Sequence, residues 1–181
     1  MDPTHRIDLY VKILTRPFIE VRDLVLAMRA VYGPHGIHVC VAGSESLSLP
    51  TLTDLDVGSC SPDDLTWEQL DLFANRNGVP QSGIAVYFVR STNPPLNGCA
   101  AHLPEAPAAV VSHLASRWTL GHEIGHVLGL KHVNSNDRLM TGNGTFSIKY
   151  PPPKLTRSEA HTIRLSPLVK PCEDPASRAS S

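Results

Sequence analysis

The sequence predicts a single α/β (α+β) domain with a twisted mixed sheet of about five strands and two long helices. A cleft and a small C-terminal subdomain ending in a helix complete the predicted architecture. Two observations support this fold class. Apolar segments of strand type alternate with amphipathic helical segments along most of the chain. The length of 181 residues also suits one domain with a proper core.

The N-terminal third predicts strand, helix, strand and a long loop. In IDLYVKIL, from Ile7, apolar and polar residues alternate as in a half-buried strand. Pro17 is predicted to open a helix that ends at Gly33, because apolar residues recur along one stripe. The stripe consists of Phe18, Val21, Val25, Met28 and Tyr32. IHVCVA, from Ile37, predicts a second strand, and residues 43–65, rich in Ser, Asp and Pro, predict a loop.

The middle of the chain predicts a short helix and three further strands. Thr66 and Gln69 form a capping box for a helix that is expected to end near Gly78. IAVYFV, from Ile84, is almost wholly apolar and predicts a central strand. GCAAHL and AAVVSHL predict two more short strands before the histidine-rich segment.

The C-terminal part predicts one more helix and then a tail. Thr156 and Glu159 form a second capping box, and Pro167 is expected to stop that helix. The domain is predicted to span 1–181, divided into an upper subdomain 1–129 with the histidine-bearing helix, a lower subdomain 130–172, and a flexible tail 173–181.

Composition removes several classes of function from consideration. The formal net charge is −1, so there is no electrostatic case for nucleic acid or an anionic membrane. No run approaches the roughly 18 apolar residues of a membrane span. The N-terminus starts acidic and lacks a secretory signal pattern. We therefore expect a monomer without a membrane span, located in the cytoplasm or exported without a signal peptide.

The four cysteines, Cys40, Cys60, Cys99 and Cys172, are widely spaced and form no C-x-x-C pair. A structural zinc knuckle is therefore not expected. Because no signal peptide is seen, reduced thiols are the favoured prediction. The even count leaves one or two disulfides open, and the pairing cannot be read from the spacing.

The segment TLGHEIGHVLGLKH, residues 119–132, carries the chemistry. His122 and His126 lie one helical turn apart on one side, and the apolar residues fall on the other. Those apolar residues are Leu120, Ile124, Val127 and Leu128. Gly129 can adopt a left-handed conformation and end the helix, which lets His132 fold back toward the first two histidines.

Three neutral imidazoles with one open position make a catalytic zinc site. Glu123 cannot be a ligand if both neighbouring histidines are, so it is left to take the proton of a water molecule. The sequence therefore predicts one Zn²⁺ per chain, held by His122, His126 and His132, with Glu123 as general base.

HEIGHVLGLKH resembles the long zinc motif of the metzincin metallopeptidases, H-E-x-x-H-x-x-G-x-x-H. That family places a methionine in a tight turn under the zinc, and RLMTGNG follows here with Met140. The resemblance implies a metzincin-like fold and a Met-turn at Met140. Val133, after the third histidine, assigns no branch. Some metzincins carry a catalytic tyrosine where this sequence has Gly142, and Tyr150 further on is expected to be packed.

The resemblance also implies how a substrate would bind. In metzincins an edge strand above the zinc pairs with an extended peptide, and the matching segment is Cys99–Leu103. His102 in that segment is expected to be an exposed histidine without a role. Small neutral residues after Met140 favour an apolar side chain after the cut bond. Arg138 and Lys149 support the competing preference for an acidic one.

A zinc endopeptidase is therefore the favoured function. A non-catalytic zinc-braced binding module and a hydrolase of a non-peptide amide remain as alternatives. Glu123 separates the first of these from catalysis, because a structural zinc is usually closed by four protein ligands. Asp2 and Cys60 are candidates for a latency group that would occupy the open position.

Overall fold

The computed structural model describes residues 4–61, 64–101 and 103–172. Within these residues there are four α-helices and eight strands. The strands are β1 (His5–Ile13), β2 (Ile37–Ser46), β3 (Asp54–Asp56), β4 (Ile84–Val89), β5 (Ser91–Asn93), β6 (Gly98–Ala101), β7 (Ala108–Ser112) and β8 (Val169–Pro171). The helices are α1 (Val21–Tyr32), α2 (Trp67–Ala74), α3 (Thr119–Val127) and α4 (Arg157–Leu165).

The main sheet is mixed and mostly parallel, with strand order β2-β1-β4-β7-β6. Its first four strands are mutually parallel, and β6 pairs antiparallel with β7 at the edge. A sixth strand, β8, pairs antiparallel with the start of β1, where the sequence predicted about five strands. β3 and β5 form a separate two-stranded parallel sheet.

Core residues lie on both faces of the sheet, and β4 is therefore buried on both sides. Ile84, Val86 and Phe88 pack in the cluster shared with α1, α3 and α4. Tyr87 and Val89 pack in a second cluster with α2 and β3. The histidine-bearing helix α3 lies against one face of the sheet, next to β6 and β7.

Several boundaries differ from the prediction. Pro17 does not open α1, which begins at Val21, and Phe18 is exposed rather than part of the buried stripe. The Phe18 N–H donates to His113 O at 2.9 Å, so this segment is tied to the end of β7 instead of to a helix. α2 ends at Ala74, before the predicted stop.

The predicted loop over residues 43–65 is partly ordered as sheet. β2 runs on to Ser46, and β3 lies inside the same segment. Both predicted capping boxes are confirmed, at Thr66 for α2 and at Thr156 for α4. None of the described helices has the length and apolar character needed to cross a membrane.

The prediction of four reduced thiols is wrong for one pair. Cys60 and Cys99 form a disulfide with a Cα–Cα separation of 5.8 Å, whereas Cys40 and Cys172 are free and half-buried. The pair is 39 residues apart in sequence, so only the tertiary fold brings it together. The proposed division at residue 129 and the tail from 173 stay predictions, and the tail lies outside the described residues.

Candidate active site

Helix α3 positions the first two histidines and the glutamate. Its apolar side is buried as predicted, with Leu120, Ile124, Val127 and Leu128 each at most 7% exposed. The buried hydroxyl of Tyr32 donates to Gly121 O at 2.8 Å and fixes α3 against α1. The start of the helix therefore cannot rotate without breaking a buried hydrogen bond.

The chain leaves α3 at Gly129, as the motif predicted. Gly129 has φ +94°, a conformation that favours glycine. The N–H of Leu130 donates back to Gly125 O at 2.9 Å, which closes the end of the helix. Val133 then bonds to Met140 through its N–H, at 2.8 Å, and this pairing places His132 opposite α3.

The Nε2 atoms of His122, His126 and His132 converge, with separations of 3.0–3.2 Å. Tetrahedral coordination at about 2.0–2.1 Å would separate neighbouring ligand nitrogens by about 3.3–3.4 Å. The three side chains are the group among the described residues that could hold a metal ion. The sequence predicted this set correctly as a spatial cluster.

Hydrogen bonds to carbonyl groups fix the tautomers of two histidines. Nδ1 of His122 lies 2.7 Å from Leu139 O, and Nδ1 of His126 lies 2.9 Å from Leu130 O. A carbonyl can only accept, so each Nδ1 carries the proton and each Nε2 presents a lone pair. Lone pairs this close repel one another unless a cation lies between them, so the donor set fits a metal ion such as zinc.

The environment of His122 also favours its neutral form. Burial lowers the pKa of His122, and the neighbouring His132 lowers it further, while the hydrogen bond to Leu139 acts in the opposite direction. A neutral imidazole is the form that binds a metal.

Glu123 lies beside the histidines and has no hydrogen-bond or ion-pair partner among the described residues. It is only 7% exposed, and burial raises its pKa to about 8. A bound dication would favour the carboxylate form, because an opposite charge nearby lowers the pKa of an acid. The side chain is thus a buried carboxyl group that no described residue holds by a hydrogen bond or an ion pair.

Met140 lies beneath α3 and is fully buried. A Cβ built on Gly125 would be 2.5 Å from Met140 Sδ, so the methionine packs directly against the helix backbone between the two histidine turns. Its role as the floor of a metal site remains a proposal.

A cleft of about 780 Å³ opens over the three histidines and Glu123. Thr141, Gly142, Gly144 and Thr145 line it, and these residues are small and uncharged. The sequence reasoning missed the opposite rim, formed by the turn at Ser59–Cys60 and by Leu96–Asn97. A signal for that rim was absent, since the Cys60 disulfide could not be read from spacing.

Other predicted residues do not reach the cleft. Tyr150 is 67% exposed, so the expectation that it is packed is wrong, and it does not line the cleft. Arg138 pairs with Glu159 at 2.5 Å and is likewise absent from the lining. Apart from Glu123 and the histidines, the charged residue that lines the cleft is Lys131. It lies inside the motif and could have been singled out there.

The structure rules out one of the two candidates for a latency group. Cys60 is oxidised in the disulfide and offers no thiolate, so its assignment as a metal-capping group is wrong. Asp2 and the edge-strand His102 lie outside the described residues.

The fold is similar to those of several solved structures, among them a metalloproteinase and two archaemetzincins. Metalloproteinase-II from Bacteroides fragilis matches with a TM-score of 0.63 and 14% identity over 90% of this chain. Archaemetzincin from Methanopyrus kandleri matches at 0.59 and 16% identity, over 88% of this chain and 94% of that one. Archaemetzincin from Archaeoglobus fulgidus, complexed with malonate, matches at 0.53 and 18% identity, over 86% and 99%.

The chain spans about half of the Bacteroides fragilis chain, at 54% of its length. No protein-family model matches the sequence, and no curated protein matches it either. At these identities the likeness concerns the fold: a mixed α/β domain with a mostly parallel sheet.

Proposed function

We propose that this protein is a zinc-dependent endopeptidase with Glu123 as general base. The convergence of three Nε2 atoms within 3.2 Å is the observation that carries the proposal. Three protein ligands leave one coordination position open, which is typical of catalytic rather than structural zinc. The solved structures with a similar fold, a metalloproteinase and two archaemetzincins, support the same class.

In this proposal the three histidines, the carbonyl groups that orient them and Glu123 have separate roles. Zinc, when bound by His122, His126 and His132, would act as a Lewis acid and lower the pKa of a water molecule in the open position. Leu139 O and Leu130 O hold two of the ligands in the tautomer that donates from Nε2. Glu123 would accept the proton of the attacking water and return it to the leaving nitrogen.

The substrate is proposed to bind as an extended peptide along β6. This strand is at the edge of the sheet and antiparallel to β7, so its outer side can pair with another strand. Gly98 and Ala100 of β6 line the cleft. A peptide added there would cross directly over the histidines.

The cleft walls favour an apolar side chain after the cut bond. Thr141, Gly142, Gly144 and Thr145 contribute no charge, and burying a side chain such as Leu or Phe would supply about 1.5–3 kcal/mol. Lys131 on the rim keeps the acidic preference as the competing outcome. Sequencing the fragments from a random peptide mixture distinguishes a dominant Leu, Ile, Met or Phe from a dominant Asp or Glu.

The direct test compares zinc-loaded wild-type protein with Glu123→Gln and with Glu105→Gln, an exposed control that does not line the cleft. We expect Glu123→Gln to keep its zinc and lose hydrolysis by about 10²–10⁴-fold, because the water then lacks its proton acceptor. The control should hydrolyse peptides like the wild type. Zinc binding without any peptide cleavage by the wild type would favour the binding module instead.

A further inference from the structure

Gly98, the first residue of β6, lies against the Glu123 side chain in the wall of the cleft. Successive residues of a strand point to opposite faces. Gly98 and Ala100 line the cleft, whereas Cys99 packs in the core cluster on the other face and carries the disulfide. Gly98 thus lies where the edge strand β6 meets helix α3.

The space at Gly98 is already filled by the glutamate. A Cβ built on Gly98 would lie 2.7 Å from Glu123 Cγ, 2.8 Å from Glu123 Oε1 and 2.8 Å from Val110 O. Contacts of a real Cβ below 3.0 Å essentially never occur. The φ of Gly98 is not in the left-handed region, so the backbone conformation itself does not require glycine. Glycine fits at this position because the Glu123 side chain and the Val110 carbonyl together occupy the space that a Cβ would need.

We infer that Gly98 is a positioning residue for Glu123: its bare Cα lets the β6 backbone close on the glutamate side chain and confine the carboxylate beside the histidines. Packing must do this work, since no described residue holds the carboxylate by a hydrogen bond or an ion pair. The inference rests on the proposed role of Glu123 as general base.

The activity test uses Gly98→Ala, with Gly33→Ala as the matched control. Gly33 has no atom within 4 Å of a built Cβ and lies at the end of α1, away from the cleft. We expect Gly98→Ala to lower kcat at least tenfold, to change KM less than twofold, and to bind as much zinc as the wild type. Gly33→Ala should match the wild type in all three. An unchanged kcat in Gly98→Ala, or a loss that is confined to KM, would overturn the inference.

A stability cycle tests the contact without relying on activity. Gly98→Ala is introduced into the wild type and into Glu123→Ala, and the urea midpoints of all four proteins are compared. If the methyl group displaces the glutamate, Gly98→Ala should shift the midpoint less in the Glu123→Ala background. Equal shifts would mean that only the clash with Val110 O matters, and this would overturn the inference.

The two tests also separate this inference from the proposed function. If the wild type cleaves no peptide, the endopeptidase proposal fails, and the stability cycle still decides whether Gly98 positions Glu123. If Gly98→Ala alone does not fold, folding of the double variant with Glu123→Ala supports the inference. Failure of both variants to fold overturns it.

Discussion

At the scale of single residues, the metal centre depends on which nitrogen of each imidazole carries a proton. His122 and His126 each donate from Nδ1 to a backbone carbonyl, so the choice is made by the fold before any ion binds. The carbonyls belong to Leu139 and Leu130, which lie outside α3. The path of the chain after the helix therefore prepares the ligands that the helix presents.

His132 is the proposed ligand that lies outside the helix, and its removal gives the sharpest test of the metal site. We expect His132→Ala to lower zinc affinity by at least about 100-fold, since even removing a group that hydrogen-bonds a metal ligand lowers metal affinity by about 10–100-fold. His161→Ala, an exposed histidine of α4, is the control and should keep one zinc per chain. Elemental analysis after dialysis against a weak chelator measures both. Undiminished zinc in His132→Ala would exclude the three-histidine site.

Met140 offers a test of packing beneath the site. It is fully buried against Gly125, so Met140→Ala should leave a cavity and destabilise the protein by about 2–5 kcal/mol. Met140→Leu nearly conserves the volume and should cost less than about 1.5 kcal/mol. Urea unfolding of the two variants measures the difference. Similar stability for both would mean that the methionine is not closely packed under α3.

The sequence predicted the cluster of three histidines but not the glycine that packs against Glu123. The histidines could be predicted because metal coordination constrains their spacing within one short segment. Gly98 lies in strand β6, 25 residues before Glu123 in the chain, and its contact exists only once β6 meets α3. A glycine whose φ is ordinary leaves no local signal of such a contact.

At the scale of elements, local patterns predicted those elements that are long or capped. β1 and β4 follow from their apolar patterns, and α2 and α4 begin at their predicted capping boxes. The missed strands β3, β5 and β8 have three residues each, too few to show a period. Their pairing is a consequence of tertiary structure.

The Cys60–Cys99 disulfide joins two distant parts of the fold, and its presence can be tested directly. It ties the turn after β3 to β6, and a closed loop of this size should contribute about 2–4 kcal/mol to stability. We expect Cys40 and Cys172 alone to react with an alkylating agent after unfolding without reduction. Reduction, or Cys99→Ser, should lower the urea midpoint, whereas Cys40→Ala is the control for losing a free thiol. Alkylation of all four cysteines in unreduced protein would contradict the disulfide.

At the scale of the whole molecule, the first and last described strands close the fold together. β8 pairs with the start of β1, and Asp8 follows the paired residues in β1 with its side chain only 4% exposed. Its carboxylate accepts from Arg6 at 2.9 Å and from Lys170 at 3.0 Å. The chain after α4 is therefore held to the sheet by a charged cluster as well as by backbone pairing.

This cluster predicts a pH dependence of stability whose sign follows from the pKa of Asp8. Burial alone would raise that pKa, but the hydrogen bonds from Lys170 and Arg6, with their charges, outweigh burial and hold it below the usual 3.8. A carboxyl group whose pKa is lowered by folding stabilises the native state above its unfolded pKa. That contribution is lost as the pH falls through the folded pKa.

Asp8→Asn should therefore destabilise the protein at neutral pH and matter less in acid. Near pH 7 we expect a loss of about 1–3 kcal/mol in the free energy of unfolding, because the variant leaves two cations without their buried acceptor. Below about pH 4 the difference from the wild type should shrink, since Asp8 itself becomes protonated there. Urea unfolding of both proteins from pH 7 to pH 2.5 measures it, with exposed Asp71→Asn, which breaks no ion pair of the described residues, as the control. A difference that stays constant or grows in acid would show that the pKa of Asp8 is not lowered by its partners.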